Sequence, residues 1–209
     1  MSQTISIRFR VKIVFVFLIF FAIGYGFTNR FPIFAPKVLP MTVVDDYFGF
    51  HPWTIWIYIS DYLLIFLPVI LVTHADMLKR LAKGFFMNCA IHYPIFFFFP
   101  TTIERPPLLE QNATASVFNW VRAMDTPVNC FPSQHVSLCF FIALAFWNYK
   151  RKWSIFFLMW AALISLSTLS TKQHYFWDIL GGLLVTVITF WIVFRKHGQP
   201  HVTLVAPSR

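Results

Sequence analysis

The sequence predicts an all-α integral membrane protein: a bundle of six transmembrane helices with both termini cytoplasmic, forming one domain over residues 1–209. Three observations carry that expectation. The chain is 58% hydrophobic and only 12% charged, against about 25% charged and 45–50% apolar in soluble domains. Its apolar residues gather in runs that approach or reach the roughly 17 to 25 helical residues a bilayer core requires. Its basic residues crowd onto alternate connections between those runs, as they do in membrane proteins of fixed orientation.

The first run, about Val11 to Phe27, follows Arg8, Arg10 and Lys12. Basic residues before an apolar stretch also begin a secretory signal, but no small-x-small cleavage site follows, so the segment reads as a retained helix. The second run covers about Trp53 to Val72 and the third, the shortest, about Phe85 to Phe99. Pro68 and Pro94 fall inside these two, which membrane helices tolerate when neighbours satisfy the freed carbonyl. The fourth, fifth and sixth runs cover about Ser133 to Tyr149, Trp153 to Ser170, and Phe176 to Phe194.

With the N-terminus inside, the cytoplasmic face holds Arg8, Arg10, Lys12, Lys79, Arg80, Lys83, Lys150, Arg151, Lys152, Arg195, Lys196 and Arg209. The opposite face holds only Arg30, Lys37, Arg105, Arg122 and Lys172. Topology and anionic headgroups account for the net charge of +9, so a nucleic-acid partner is not expected. Oligomeric state leaves no signature in the sequence.

Two polar islands stand out: Phe131-Pro132-Ser133-Gln134-His135, and Thr171-Lys172-Gln173-His174-Tyr175-Phe176-Trp177-Asp178. Titratable groups bordering a membrane are costly unless they pair or line a wet cavity. The topology puts both islands, and the segment Thr101 to Pro132, on the same non-cytoplasmic face. If the sixth helix begins near Gln173, His174 and Asp178 lie on one face a turn apart. The carboxylate then holds one imidazole nitrogen protonated and leaves the other free to attack. A helix-end ion pair has the same spacing. In the other island, Pro132 suits a first-turn position and Ser133 a cap, and the opening amides form a ready phosphate site with His135 beside it. Arg105 and Lys172 are candidate clamps for phosphate oxygens, although an interfacial cation often only meets headgroups.

At these residues the chain resembles the type-2 phosphatidic acid phosphatase superfamily. Pro132-Ser133-Gln134-His135 is similar to its Pro-Ser-Gly-His motif, with Gln134 in place of glycine. Ser167, Thr168, His174 and Asp178 keep the spacing of its Ser-Arg-x5-His-x3-Asp motif, with threonine where the arginine belongs. Arg105-Pro106 matches the end of its Lys-x6-Arg-Pro motif, with Phe98 at the lysine position. The resemblance implies a membrane lipid phosphatase that takes a lipid phosphate or phospholipid through a phosphohistidine. In it His174 is the nucleophile, Asp178 its orienter and His135 the proton donor, while Ser133 and Arg105 hold phosphate oxygens. Lys172 enters by proximity, as compensation for Thr168. His174-Tyr175-Phe176-Trp177-Asp178 also resembles the inositol phosphorylceramide and sphingomyelin synthase branch, which implies transfer to a lipid hydroxyl. The expected motifs lie within about residues 101–182, at a face turned to the periplasm or to the lumen of an endomembrane.

The acidic residues expected on that face, Asp45, Asp46, Asp61, Glu104, Glu110, Asp125 and Asp178, are scattered. A two-metal reaction needs them clustered, so no metal or other cofactor is expected. A reading from another class is a haem- or metal-binding membrane protein with His135, His174 and His92 as ligands. It leaves the Pro-Ser-Gln-His context and the His-x3-Asp pair as coincidences. A transporter should show polar positions deep in several runs, and these are almost uniformly apolar. Cys89 and Cys139 read as packing residues, Cys130 as structural, and Asn112-Ala113-Thr114 as a glycosylation sequon.

Overall fold

The computed structural model describes residues 5–108 and 111–195. Lys196, Arg209 and Glu110 lie outside the described residues. In chain order the helices are α1 (Ile7–Arg30), α2 (Val43–Tyr47), α3 (Ile55–Tyr58), α4 (Asp61–Leu71), α5 (Ala75–Phe98), α6 (Ala113–Met124), α7 (Gln134–Ala145), α8 (Arg151–Ser170) and α9 (Phe176–Phe194). A 3-10 turn over Pro52–Thr54 leads into α3. Two dipeptide strands, β1 (Lys37–Val38) and β2 (Thr101–Thr102), pair in parallel.

α7 is the centre of the bundle, packed by α4, α5, α8 and α9. Its sequence is apolar on all sides, as a helix surrounded by neighbours should be. It buries Val136, Leu138, Cys139, Phe141, Ile142, Ala143 and Ala145. In lipid such contacts are stabilised by close packing rather than by escape from water. Gly84 of α5 provides one: a Cβ there would meet Phe141 Cζ at 1.9 Å. α1 is the peripheral counterpart, burying only Phe17, Thr28 and Asn29.

Among the described residues, four segments are long and apolar enough to cross a membrane: Ile7–Arg30, Pro52–Leu71, Arg151–Ser170 and Phe176–Phe194. The two others expected to span differ in instructive ways. The third begins well before Phe85, at Ala75, because Asp76, Lys79, Arg80 and Lys83 belong to the same helix and dilute its apolar character. The fourth, α7, has 12 residues, about 18 Å of helix against a hydrocarbon core of about 30 Å.

The second expected helix is interrupted. Ser60 Oγ donates to the Ile57 carbonyl at 2.6 Å and accepts from Trp160 Nε1 at 2.8 Å. This back-bonding competes with the helical ladder, yet Ile59 and Ser60 stay in the right-handed region. The segment tightens rather than kinks, and Asp61 opens the next helix. The outer loop also holds a helix the apolar runs did not announce. Asn112 caps α6 by accepting from Ala115 N, and Ala115, Phe118 and Val121 bury one face, with Phe118 and Val121 against Ile55 and Tyr58.

The bundle has two chemically distinct ends. At one, Arg10 donates to the Val69 carbonyl, Arg80 lies over the Phe194 ring and Thr73 bonds Tyr149. At the other, α1 and α8 finish where α7 and α9 begin.

Candidate active site

The two polar islands meet through backbone. Ser133 N donates to the Asp178 carbonyl at 2.9 Å, joining the start of α7 to the first turn of α9. Such an approach needs a surface without side chains, which Gly181 and Gly182 supply. A Cβ on Gly182 would stand 2.6 Å from the Ser133 carbonyl oxygen, and one on Gly181 would stand 2.6 Å from the Phe131 ring. Ser133 is the cap of α7, its Oγ accepting from Val136 N. Pro132 lies before the cap rather than in the first turn, after a cis peptide bond.

His174 precedes α9 instead of riding on it. The α8 terminus holds it in place, since Gln173 N and His174 N donate to the Thr168 carbonyl at 3.0 and 3.2 Å. Asp178 reaches back from the first turn. Its Oδ2 accepts from Tyr175 N at 2.9 Å and lies 3.3 Å from His174 Nδ1. The expected pairing is therefore present by capping geometry rather than by a shared helix face.

His135 Nδ1 lies 3.3 Å from His174 Nε2. A hydrogen on His174 Nδ1 points at Asp178, whose carboxylate oxygen accepts, and Nε2 faces His135. The two rings thus face each other nitrogen to nitrogen, with His174 and Asp178 4% and 0% exposed.

Beyond this core the expected residues divide. Arg105 Nη1 donates to the Asp125 carbonyl at 2.7 Å, and Nη2 lies 3.4 Å from its carboxylate. Asp125 in turn accepts from Tyr25 Oη at 2.8 Å and Asn29 Nδ2 at 3.1 Å, tying the outer loop to α1. Burial pushes the Asp125 carboxyl above the usual carboxylate range, and Arg105 beside it opposes that shift. Arg122, whose Nη2 donates to the Pro106 carbonyl, has its guanidinium pushed down by burial and by Arg105.

Lys172 is turned elsewhere. Its backbone is left-handed, φ 53°, and its amine donates to the carbonyls of Asp45 and Phe48. It closes the C-terminal end of α2, whose Asp45 carboxylate accepts from Phe176 N at 2.8 Å. Lys172 thus latches α2 onto the entry to α9. Thr168 offers its carbonyl to His174 and spends its hydroxyl on the Ser165 carbonyl. Phe98 is 60% exposed.

Two residues that the motifs did not announce complete the surroundings of His135. Tyr58 Oη lies 2.9 Å from its Nε2, and Asp61 Oδ2 lies 3.7 Å away. Asp61, a carboxylate inside the second apolar run, was the available signal. His92 stands apart from the histidine pair, its Nδ1 on the Asn88 carbonyl and its Nε2 near Ser137 Oγ. Among the described residues no group of His, Cys, Asp and Glu is arranged to hold a metal ion. Cys89, Cys130 and Cys139 are buried free thiols.

Comparison with the curated proteins and with the solved structures gave no match. The model of the PAP2 superfamily matches residues 89–200, more than half of the chain and all of the histidine core. With its facing histidines, its Asp178 and its apolar helices, this chain belongs to the PAP2 superfamily, whose activity is of the phosphatase or phosphotransferase type.

Proposed function

We propose that this protein is a membrane lipid phosphatase that cleaves a lipid phosphate or phospholipid at the non-cytoplasmic face through a phosphohistidine. The observation that carries the reading is His174 Nε2 standing 3.3 Å from His135 Nδ1, with Asp178 behind His174; with Asp178 accepting from Nδ1–H, Nε2 keeps a lone pair and the hydrogen between the rings lies on His135 Nδ1. His174 Nε2 attacks phosphorus; the N–P bond forms as the P–O bond to the leaving alcohol breaks. The departing oxygen takes the proton from His135. Water then attacks the phosphohistidine and returns a proton to His135, which acts as base in this second step. The α7 N-terminus, capped by Ser133, favours the anion, and Arg105, held by Asp125, is the nearby guanidinium suited to its oxygens.

A lipid substrate is supported by a crevice between α1, α4, α5 and α7. Phe17, Leu18, Phe21, Ile65 and Phe66 line it, and it reaches His135. Orientation is supported by charge: the histidines sit at the end of the bundle opposite Arg10 and Arg80, and basic residues favour the cytoplasmic side. Both termini are then cytoplasmic, with α5 as a further crossing and α7, extended by the turns through Tyr149, completing six.

Purified protein in lipid vesicles, given phosphate-labelled phosphatidic acid, tests the reading. Label should be released and trapped as acid-labile phosphohistidine, and His174→Ala should lower turnover by at least about 10³-fold. Substantial activity in that variant would end the assignment. Adding diacylglycerol or ceramide separates hydrolysis from transfer, since transfer moves label into a new lipid.

A further inference from the structure

The mechanism above uses one nitrogen of His135, and the other has partners of its own. Nε2 lies 2.9 Å from Tyr58 Oη and 3.7 Å from Asp61 Oδ2. The first is a hydrogen-bond distance and the second an ion-pair distance. Asp61 is 1% exposed, and its Oδ1 has no hydrogen-bond partner among the described residues. A carboxylate so placed, within a segment apolar enough to cross a membrane, is costly unless a cation faces it. Arg105 is engaged with Asp125, and Lys172 with α2. The group within reach of Asp61 that can become a cation is His135.

The surroundings agree element by element. His135 meets Tyr58 from α3, Asp61 from α4 and His174 from the entry to α9. His92 on α5 is turned to Asn88 and Ser137. Tyr58 is fixed by packing, 3% exposed in the cluster with Ile55, Phe118 and Val121. Its hydroxyl can donate to Nε2 of a neutral ring and accept from Nε2–H of a protonated one.

We infer that Asp61 and Tyr58 are positioning residues that hold His135 in its proton-donating form, as Asp178 fixes the tautomer of His174. The inference rests on the phosphoryl-transfer reading of the site. With Asp61 ionised, the imidazolium carries Nε2–H toward Tyr58 and Asp61 and Nδ1–H toward the reaction. When the P–O bond breaks, its electron pair stays on the leaving oxygen and the Nδ1 proton passes to it. Ring and carboxylate then stand as neutral imidazole and anion until the attacking water returns a proton to Nδ1.

A leaving group that needs no proton should be indifferent to this arrangement. Dodecyl phosphate releases a basic alkoxide and 4-nitrophenyl phosphate a stable phenolate. Asp61→Asn should lower kcat/KM, which reads the leaving-group step, for dodecyl phosphate by about 10- to 100-fold, a fraction of what general acid catalysis supplies, and change kcat/KM for 4-nitrophenyl phosphate by less than about threefold. Asp61→Glu should restore part of the loss. Tyr58→Phe, which keeps the ring, should show the same selectivity at about fivefold and serves if Asp61→Asn does not fold. Equal loss on both esters, or loss on neither, overturns the inference. Failure of the underlying reading looks different: His174→Ala would keep turnover of both esters, or the unaltered protein would cleave neither, and the inference would fall with it.

Discussion

His174 draws its carboxylate from Asp178, four positions along the chain and 3.3 Å away, inside the turn that opens α9. His135 draws its hydroxyl and carboxylate from Tyr58 and Asp61, and 77 positions separate Tyr58 from His135. The two rings face each other with comparable partners behind them, but one arrangement is local and the other depends on how α3 and α4 pack against α7. The local arrangement survives as long as the first turn of α9 is wound. The remote one responds to anything that moves a helix, which leaves His135 the more adjustable of the two histidines.

The largest effect expected from testing this contrast is at the local pair. Asp178→Asn should reduce turnover on the order of 10³-fold in a folded protein, because the amide no longer enforces the tautomer that frees Nε2. Steady-state kinetics on phosphatidic acid measures it. A loss within about tenfold would mean that the Thr168 carbonyl alone places His174.

An intermediate effect is expected where the two halves touch. Gly182→Ala puts a methyl group 2.6 Å from the Ser133 carbonyl oxygen and 3.0 Å from Val136 Cβ. The start of α7 must back away, at a cost of about 1–3 kcal/mol. A lowered thermal midpoint together with roughly tenfold slower turnover is the expected result. Wild-type turnover with a lowered midpoint would show that His135 tolerates the shift.

The smallest effect is expected at Lys172. Lys172→Ala removes the amine that closes α2 and should cost about 1 kcal/mol of stability, read from thermal unfolding. KM for the phosphate ester should stay within about threefold of the parent. A large rise in KM would return Lys172 to the role of phosphate clamp suggested by its nearness to His174 in the chain.

Lys172 and Asp61 mark where sequence reasoning stopped. Lys172 stands two residues from His174, yet its left-handed backbone sends the side chain to Asp45 and Phe48. Adjacency in sequence says little about direction when the intervening turn is tight. Asp61 was visible as a carboxylate inside an apolar run, but nothing local connects it to His135. The sequence does carry a signal for α6: a cap at Asn112 followed by Ala115, Phe118 and Val121 has the period of an amphipathic helix. Gly181 and Gly182 also lay in view, but their use appears only when Phe131 and Ser133 are set against them.

By itself the sequence determined the apolar class, the approximate places of the long helices, the cap at Ser133 and the closeness of His174 to Asp178. Each of these is decided within a few turns by transfer energy, capping and short-range spacing, so local order suffices. Tertiary structure alone decided that Asp61 and Tyr58 stand behind His135, that Asp125 rather than an acidic neighbour holds Arg105, and that the two islands join at Ser133 and Asp178. Those contacts link different helices and loops, and they are settled only when close packing around α7 selects which distant groups are buried together.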